Sequence, residues 1–182
     1  MSLRIISGQW RGRRLLEPEG DTTRPTADRT RETLFSMLAS RLGSFEDLAV
    51  ADLFAGSGAL GLEALSRGAA SCIFVEQDPP AIRALRRNIL TMRAQAQCDV
   101  RAISVMALGP AKQPLDLIFM DPPYDTGAGA VALDKLNRLG WIAPSSWISV
   151  ETSRNEELRV KGFEVETVRD AGKARLHLLR PE

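Results

Sequence analysis

The tetrapeptide Asp121-Pro122-Pro123-Tyr124 carries the most legible chemistry in this 182-residue sequence. Its two prolines remove two backbone N–H groups and hold the residues before them extended, which leaves carbonyls aimed away from helix or ladder partners. The exocyclic amine of a base is a poor nucleophile because its lone pair is delocalised into the ring. An Asp121 carboxylate and a Pro122 carbonyl can accept its two N–H bonds, localise the lone pair and stabilise the positive charge growing on nitrogen. Tyr124 offers a face for a flipped or unpaired base, worth on the order of 1–3 kcal/mol of stacking. Proton loss can follow bond formation, so no histidine base is needed.

A second cluster, Asp52-Leu53-Phe54-Ala55-Gly56-Ser57-Gly58-Ala59-Leu60-Gly61, satisfies G-x-G-x-x-G at Gly56, Gly58 and Gly61. At a strand-to-helix junction this spacing gives a tight turn, a close backbone approach to a ligand and close helix packing. Glu76, 18 residues beyond Gly58, is placed to accept hydrogen bonds from ribose hydroxyls. A nicotinamide dinucleotide would fit these features, but its pyrophosphate would be repelled by Asp52. S-adenosylmethionine has no phosphate and carries an ammonium and a sulfonium, which makes an acid there an attractive partner. The competing role for Asp52 is that of a loop-start residue bonding backbone N–H groups. The cationic cofactor accounts for more, and Asp52, Phe54, Gly56, Gly58 and Glu76 are the candidate cofactor contacts.

These residues need a parallel sheet to bring them together, and the hydrophobic rhythm predicts one. Residues 1–22 read as a basic hairpin appendage, followed by a helix over Leu34, Leu38 and Leu42, capped at Thr26 or Asp28 and ending near Gly43. Strands are expected at Ala49–Phe54, Ser71–Val75, Val100–Val105, Leu115–Met120 and Trp147–Glu151. Helices are expected at Leu60–Arg67, along Ile82, Leu85, Ile89 and Met92, and at Val131–Leu139. Phe163–Val168 and Arg175–Leu179 alternate like strands, and the connection through Arg169-Asp170-Ala171-Gly172-Lys173 is too short for a crossover helix, so they form an antiparallel hairpin. The stretch from Ser153 to Gly162 is also short for a helix. The fold class is therefore α/β and Rossmann-like, a seven-stranded mostly parallel sheet closed by a C-terminal antiparallel hairpin. Residues 1–182 read as one domain, with 1–45 as a hairpin-plus-helix extension.

Composition excludes several classes. Net charge is only +1, against a bulk polycation, yet 20 of the 24 basic residues are arginine. Arg4, Arg11, Arg13 and Arg14 give the first fourteen residues +4, leaving −3 for the other 168. No apolar run long enough for a membrane span or a secretory signal occurs, which points to a cytoplasmic protein. Cys72 and Cys98 make no disulfide framework and His177 stands without a metal-ligand cluster, so no metal is expected. Both cysteines and His177 read as core residues, and Arg83, Arg86, Arg87 and Arg93 as a solvated helix face.

Taken together, the sequence resembles the bacterial small-subunit ribosomal RNA guanine-N2 methyltransferases, within the class I S-adenosylmethionine-dependent enzymes. The resemblance runs through Arg4-Ile5-Ile6-Ser7-Gly8, Gly12-Arg13-Arg14-Leu15, Thr23-Arg24-Pro25-Thr26, Arg29, Arg31-Glu32, Leu34-Phe35, the glycine loop and Phe119-Met120-Asp121-Pro122-Pro123-Tyr124. It implies methyl transfer to a guanine of 16S rRNA, free or within an assembled or assembling subunit, by a monomer. Asp121, Pro122 and Tyr124 would be catalytic. Where the family carries an acid for the cofactor adenine, this chain has Ile103-Ser104-Val105-Met106, making Ser104 or backbone groups the candidate contact. Selecting one guanine needs contacts beyond the flipped base, for which Arg4, Arg11, Arg13, Arg14, Arg24 and Arg29 are the candidates. The alternatives are transfer to another amine or amide, such as adenine N6 or a protein side chain, and a non-catalytic RNA-binding assembly factor.

Overall fold

The computed structural model describes residues 3–19 and 28–182; the Arg24-Pro25 boundary, the Thr26 cap and Arg24 itself lie outside them. In chain order the elements are β1 (Leu3–Arg4), β2 (Arg14–Leu15), α1 (Asp28–Leu42), β3 (Ala49–Leu53), α2 (Ala59–Ser66), β4 (Ser71–Val75), α3 (Pro79–Thr91), β5 (Cys98–Arg101), β6 (Leu115–Met120), α4 (Ala128–Arg138), β7 (Ile142–Ser153), β8 (Phe163–Ala171) and β9 (Ala174–Pro181).

The main sheet runs β5-β4-β3-β6-β7-β9-β8. Strands β3 to β7 pair in parallel, and β9 pairs antiparallel with both β7 and β8. This is the expected mixed sheet. Alternation along the strands divides the core in two. Val50, Phe74, Phe119, Trp147, Leu176 and Leu178 face one layer with α1, α2 and α3, while Ala51, Leu53, Ile118, Ile148 and Val150 face α4 and Trp141.

Helix α4 starts at Ala128, three residues before the expected Val131, and three further differences from expectation have a visible cause. The strand expected at Val100–Val105 is Cys98–Arg101 followed by a short 3₁₀ turn at Val105–Ala107, because the Ser104 hydroxyl accepts the Met106 N–H at 3.2 Å and caps that turn. Strand β7 reaches from Ile142 to Ser153, beyond the expected Trp147–Glu151, because a register shift lets Ile142 pair with Leu115 and Trp147 with Leu117. The C-terminal strands absorb most of the expected join, leaving Gly172-Lys173 as the turn, with Gly172 at φ 58°. Such a two-residue connection suits the twist of paired antiparallel strands.

The N-terminal segment is a two-rung hairpin, Leu3 opposite Leu15 and Arg4 opposite Arg14, and is part of the core rather than an appendage. Leu3, Ile5, Trp10 and Leu15 are buried with α1 and α2. Trp10 pins the hairpin to the body of the fold, its ring in the core and its backbone N–H on the Ser66 hydroxyl at 3.0 Å. Polar groups fix the docking. The buried Glu63 carboxylate on α2 accepts the Ile6 and Ser7 N–H groups at 2.8 and 3.0 Å, and Arg31 bridges Glu63, Asp28 and the Arg4 carbonyl. Buried charges persist where they are paired and hydrogen-bonded in this way.

Candidate active site

Strand register lines up the chemistry. Leu53 pairs with both Val75 and Met120, and Met120 pairs with Val150. The next residue on each strand, Phe54, Glu76, Asp121 and Glu151, therefore lies in one row at the carboxyl edge, where open α/β sheets bind ligands.

The β3–α2 loop turns through Phe54, Gly56 and Gly58 with φ of 59°, 57° and 86°. A Cβ on Gly58 would meet Leu85 Cδ1 at 2.4 Å, whereas one on Gly56 would meet no atom of the described residues within 4 Å. Gly58 is closed off by the protein, and Gly56 faces space that a ligand can enter. Glu76 braces this loop: Oε1 accepts the Gly56 N–H at 2.8 Å, and Oε2 accepts the Gln77 and Asp78 N–H groups, both at 2.9 Å. A carboxylate has about four acceptor positions, so capacity for further donors remains. Beside it lies a small hollow lined by Phe54, Val75, Glu76, Gln77, Ile103 and Val105. Ser104 is not part of that lining; the apolar Ile103 and Val105 on either side of it are, and neither was singled out from the sequence.

Asp52 performs the scaffolding role and leaves the ligand role open. Its side chain points toward α2, is 1% exposed, and accepts the Gly61 N–H at 2.9 Å. Burial pushes its pKa well above the ordinary carboxylate range, and the nearby Asp121 and Glu76 charges push the same way. Among the described residues no cation forms an ion pair with it. A positively charged ligand group would restore the charge that burial disfavours.

At the other half of the edge, Tyr124 donates its hydroxyl proton to Glu151 Oε2 at 2.8 Å, fixing the ring. Glu151 was missed in the sequence; the available signal was an acid closing a strand of the same sheet. Asp125 accepts the Ser153 hydroxyl at 2.8 Å and gives its N–H to Glu156, so the loop after β6 is tied to β7 and the segment beyond it. The Pro123 carbonyl takes the Thr126 hydroxyl at 2.8 Å, while none of the hydrogen bonds among the described residues uses the Pro122 carbonyl. That carbonyl keeps its acceptor capacity, and Asp121 lies half-buried beside it.

Arg4, Arg11, Arg13, Arg14 and Arg29 all have exposed side chains. Arg13 makes one long contact, Nη1 to the Thr91 carbonyl at 3.4 Å. Behind the hairpin, Asn88 on α3 joins two regions that the sequence does not connect. Its amide accepts the Leu16 N–H at 2.7 Å and donates to the Leu16 and Ser57 carbonyls at 3.0 and 2.9 Å. His177 is buried, its Nε2 2.9 Å from Thr152 Oγ1, and burial lowers its pKa to about 4. Cys72 and Cys98 are held protonated by burial, the latter with its pKa raised to about 12. Among the described residues no group of three or more His, Cys, Asp or Glu could hold a metal ion.

The family model described as Conserved hypothetical protein 95 matches residues 3–180. The chain belongs to this family. Its relatives include Ribosomal RNA small subunit methyltransferase D of Escherichia coli, 41% identical over 150 residues that cover 82% of this chain and 74% of the relative. The protein of the same name from Haemophilus influenzae is 37% identical over 86% of this chain and 81% of its own. Among solved structures, yhhF from Escherichia coli superposes with a TM-score of 0.87 at 37% identity, covering 100% of this chain and 99% of the other. The fold is that of the class I methyltransferases, as the sequence resemblance implied.

Proposed function

We propose that the protein transfers a methyl group from S-adenosylmethionine to the exocyclic N2 amine of one guanine in small-subunit ribosomal RNA. The cofactor is S-adenosylmethionine, as for the methyltransferase family to which the chain belongs, and it supplies an electrophilic methyl group on a sulfonium. The residues present fit it: no described atom crowds the open side of Gly56, Glu76 stands over a small hollow, and Asp52 is a buried carboxyl with which no cation pairs among the described residues. In this reading Glu76 accepts the ribose hydroxyls, Phe54, Ile103 and Val105 enclose the adenine, and Asp52 and Gly58 shape the floor. Ser104 acts through the turn that it caps.

One observation carries the transfer step: the Pro122 carbonyl, which no hydrogen bond among the described residues uses, stands beside Asp121, next to a tyrosine whose ring is fixed by Glu151. Asp121 and Pro122 accept the two N–H bonds of the amine, turn its lone pair toward the methyl group and stabilise the charge that develops. Tyr124 stacks on the extruded base. The cationic amine then loses its proton to water, and the neutral thioether S-adenosylhomocysteine is the leaving group. Residues 1–182 act as a single cytoplasmic domain and as a monomer, and Arg4, Arg11, Arg13, Arg14, Arg24 and Arg29 contact RNA phosphates.

Incubating wild type and Asp121→Ala with labelled S-adenosylmethionine and rRNA, free and assembled into subunits, tests this. The expected result is label on RNA with wild type and little with the variant. Label on protein, or none on any RNA, would refute the proposal.

A further inference from the structure

A cleft of about 210 Å³ lies between α1 and the edge strand β8, lined by Ser36, Met37, Ser40, Arg41, Thr167 and Arg169. It is smaller than the roughly 300–1,000 Å³ sites that engulf a small organic ligand. Hydroxyls and guanidinium groups with one thioether suit a single anionic group arriving from solvent.

Register ties the cleft to the catalytic edge. Glu151, which holds Tyr124, pairs with Leu176, and Leu176 pairs with Arg169. Directly opposed residues on paired strands share a face. At about 4.8 Å per strand, Arg169 stands roughly 10 Å from Glu151 on the α1 side. The β8–β9 turn brings Lys173 to the same edge. Arg41 is already engaged, by Glu166 and by the Thr167 hydroxyl to which it donates at 2.6 Å, which leaves Arg169 and Lys173 as the cations open to an anion. Glu166 and Asp170, the acids flanking Arg169 on β8, are engaged by Arg41 at 3.6 Å and Arg175 at 2.8 Å. Among the described residues no carboxylate forms an ion pair with Arg169 or Lys173.

We propose that this cleft, with Arg169 and Lys173 at its catalytic end, holds a backbone phosphate of the RNA substrate beyond the nucleotides that adjoin the base on Tyr124. The inference rests on the RNA reading above and adds a second grip to it. The basic hairpin docks over α2 and α3, on the β4 side of the site, and the cleft lies at the β8 end. The target nucleotide is then held from both flanks, which lets a small domain choose one position.

The test is fluorescence anisotropy with an rRNA fragment carrying the methylated position, in a long form and in a form trimmed to one nucleotide on each side. Wild type, the double variant Arg169→Glu/Lys173→Glu and Arg169→Lys are compared. On the long fragment the double variant should bind about ten-fold more weakly near 0.15 M salt, with a salt slope lower by up to roughly 0.7 per lost contact. Arg169→Lys should bind as wild type. On the trimmed fragment all three should bind alike, and calorimetry should give one S-adenosylmethionine affinity. Unchanged binding of the long fragment by the double variant, or an equal loss on the trimmed one, would overturn the proposal while leaving the RNA reading intact. Failure of wild type to bind either fragment would overturn both.

Discussion

The two halves of the catalytic edge are held together in different ways. On the β3–β4 side, carboxylates grip backbone: Asp52 takes the N–H of Gly61, and Glu76 takes those of Gly56, Gln77 and Asp78. On the β6–β7 side, side chains of the following strand and loop grip the Asp-Pro-Pro-Tyr loop: Glu151 on Tyr124, Ser153 and Glu156 on Asp125. The first half is a continuous strand, loop and helix with a pocket shaped before any ligand arrives. In the second, the catalytic acceptors are backbone and carboxylate on a loop whose geometry depends on residues about 30 positions away. Cofactor binding and methyl transfer should therefore fail separately.

Asp121→Ala gives the largest expected effect. Loss of one preorganised acceptor should slow single-turnover methylation by roughly 10²–10³-fold, with little change in cofactor affinity by calorimetry. A normal rate would mean that the amine is oriented by another group. Glu76→Ala probes the opposite half and should weaken S-adenosylmethionine binding by about 1.5–3 kcal/mol. Its rate at saturating cofactor should stay close to wild type. If the rate fell as far as the affinity, the halves would not be independent.

Asp52→Asn sharpens the comparison by separating stability from binding. The amide oxygen can still accept the Gly61 N–H, but the charge is gone, so cofactor binding should weaken by about 1–1.5 kcal/mol, the difference between charge-assisted and neutral hydrogen bonds. The ligand-free protein should become more stable. Because burial raises the folded pKa of Asp52 above its ordinary value of 3.8, the folded chain holds that proton more tightly than the unfolded chain. Its stabilising contribution is full below that value and is lost as pH rises through the raised pKa. Thermal unfolding at pH 7 and above should show the variant melting higher than wild type, and an equal or lower midpoint would remove the burial argument. The smallest effect belongs to the hairpin. Neutralising Arg11, Arg13 and Arg14 together should lower the salt slope of RNA binding by up to roughly 0.7–0.9 per lost phosphate contact, with S-adenosylmethionine affinity unchanged.

What could be read from the sequence follows the same division. The mixed sheet, the glycine loop, Glu76 and the Asp-Pro-Pro-Tyr loop were legible because each is encoded within a few consecutive residues, by period-2 alternation or by glycine and proline spacing. Glu151, Asn88 and Glu63 were not. Each acts across 27 to 72 positions, on Tyr124, Leu16 and Ile6 respectively, and nothing local marks a buried polar side chain as a clamp. The hairpin was read as an appendage because its four arginines dominate its composition, although Leu3, Ile5, Trp10 and Leu15 place it in the core. For Asp52 the sequence offers both a charge role and a backbone-bonding role and favours the first; the bond to Gly61, on the helix behind it, shows the second.

The most direct test of the central claim is chemical identification of the product. RNA methylated by the protein is digested to nucleosides and analysed by mass spectrometry against methylated standards. The account predicts N2-methylguanosine arising from a single position, abolished in step with the rate in Asp121→Ala. N6-methyladenosine, a ring-nitrogen methylguanosine or unmodified nucleosides would contradict it.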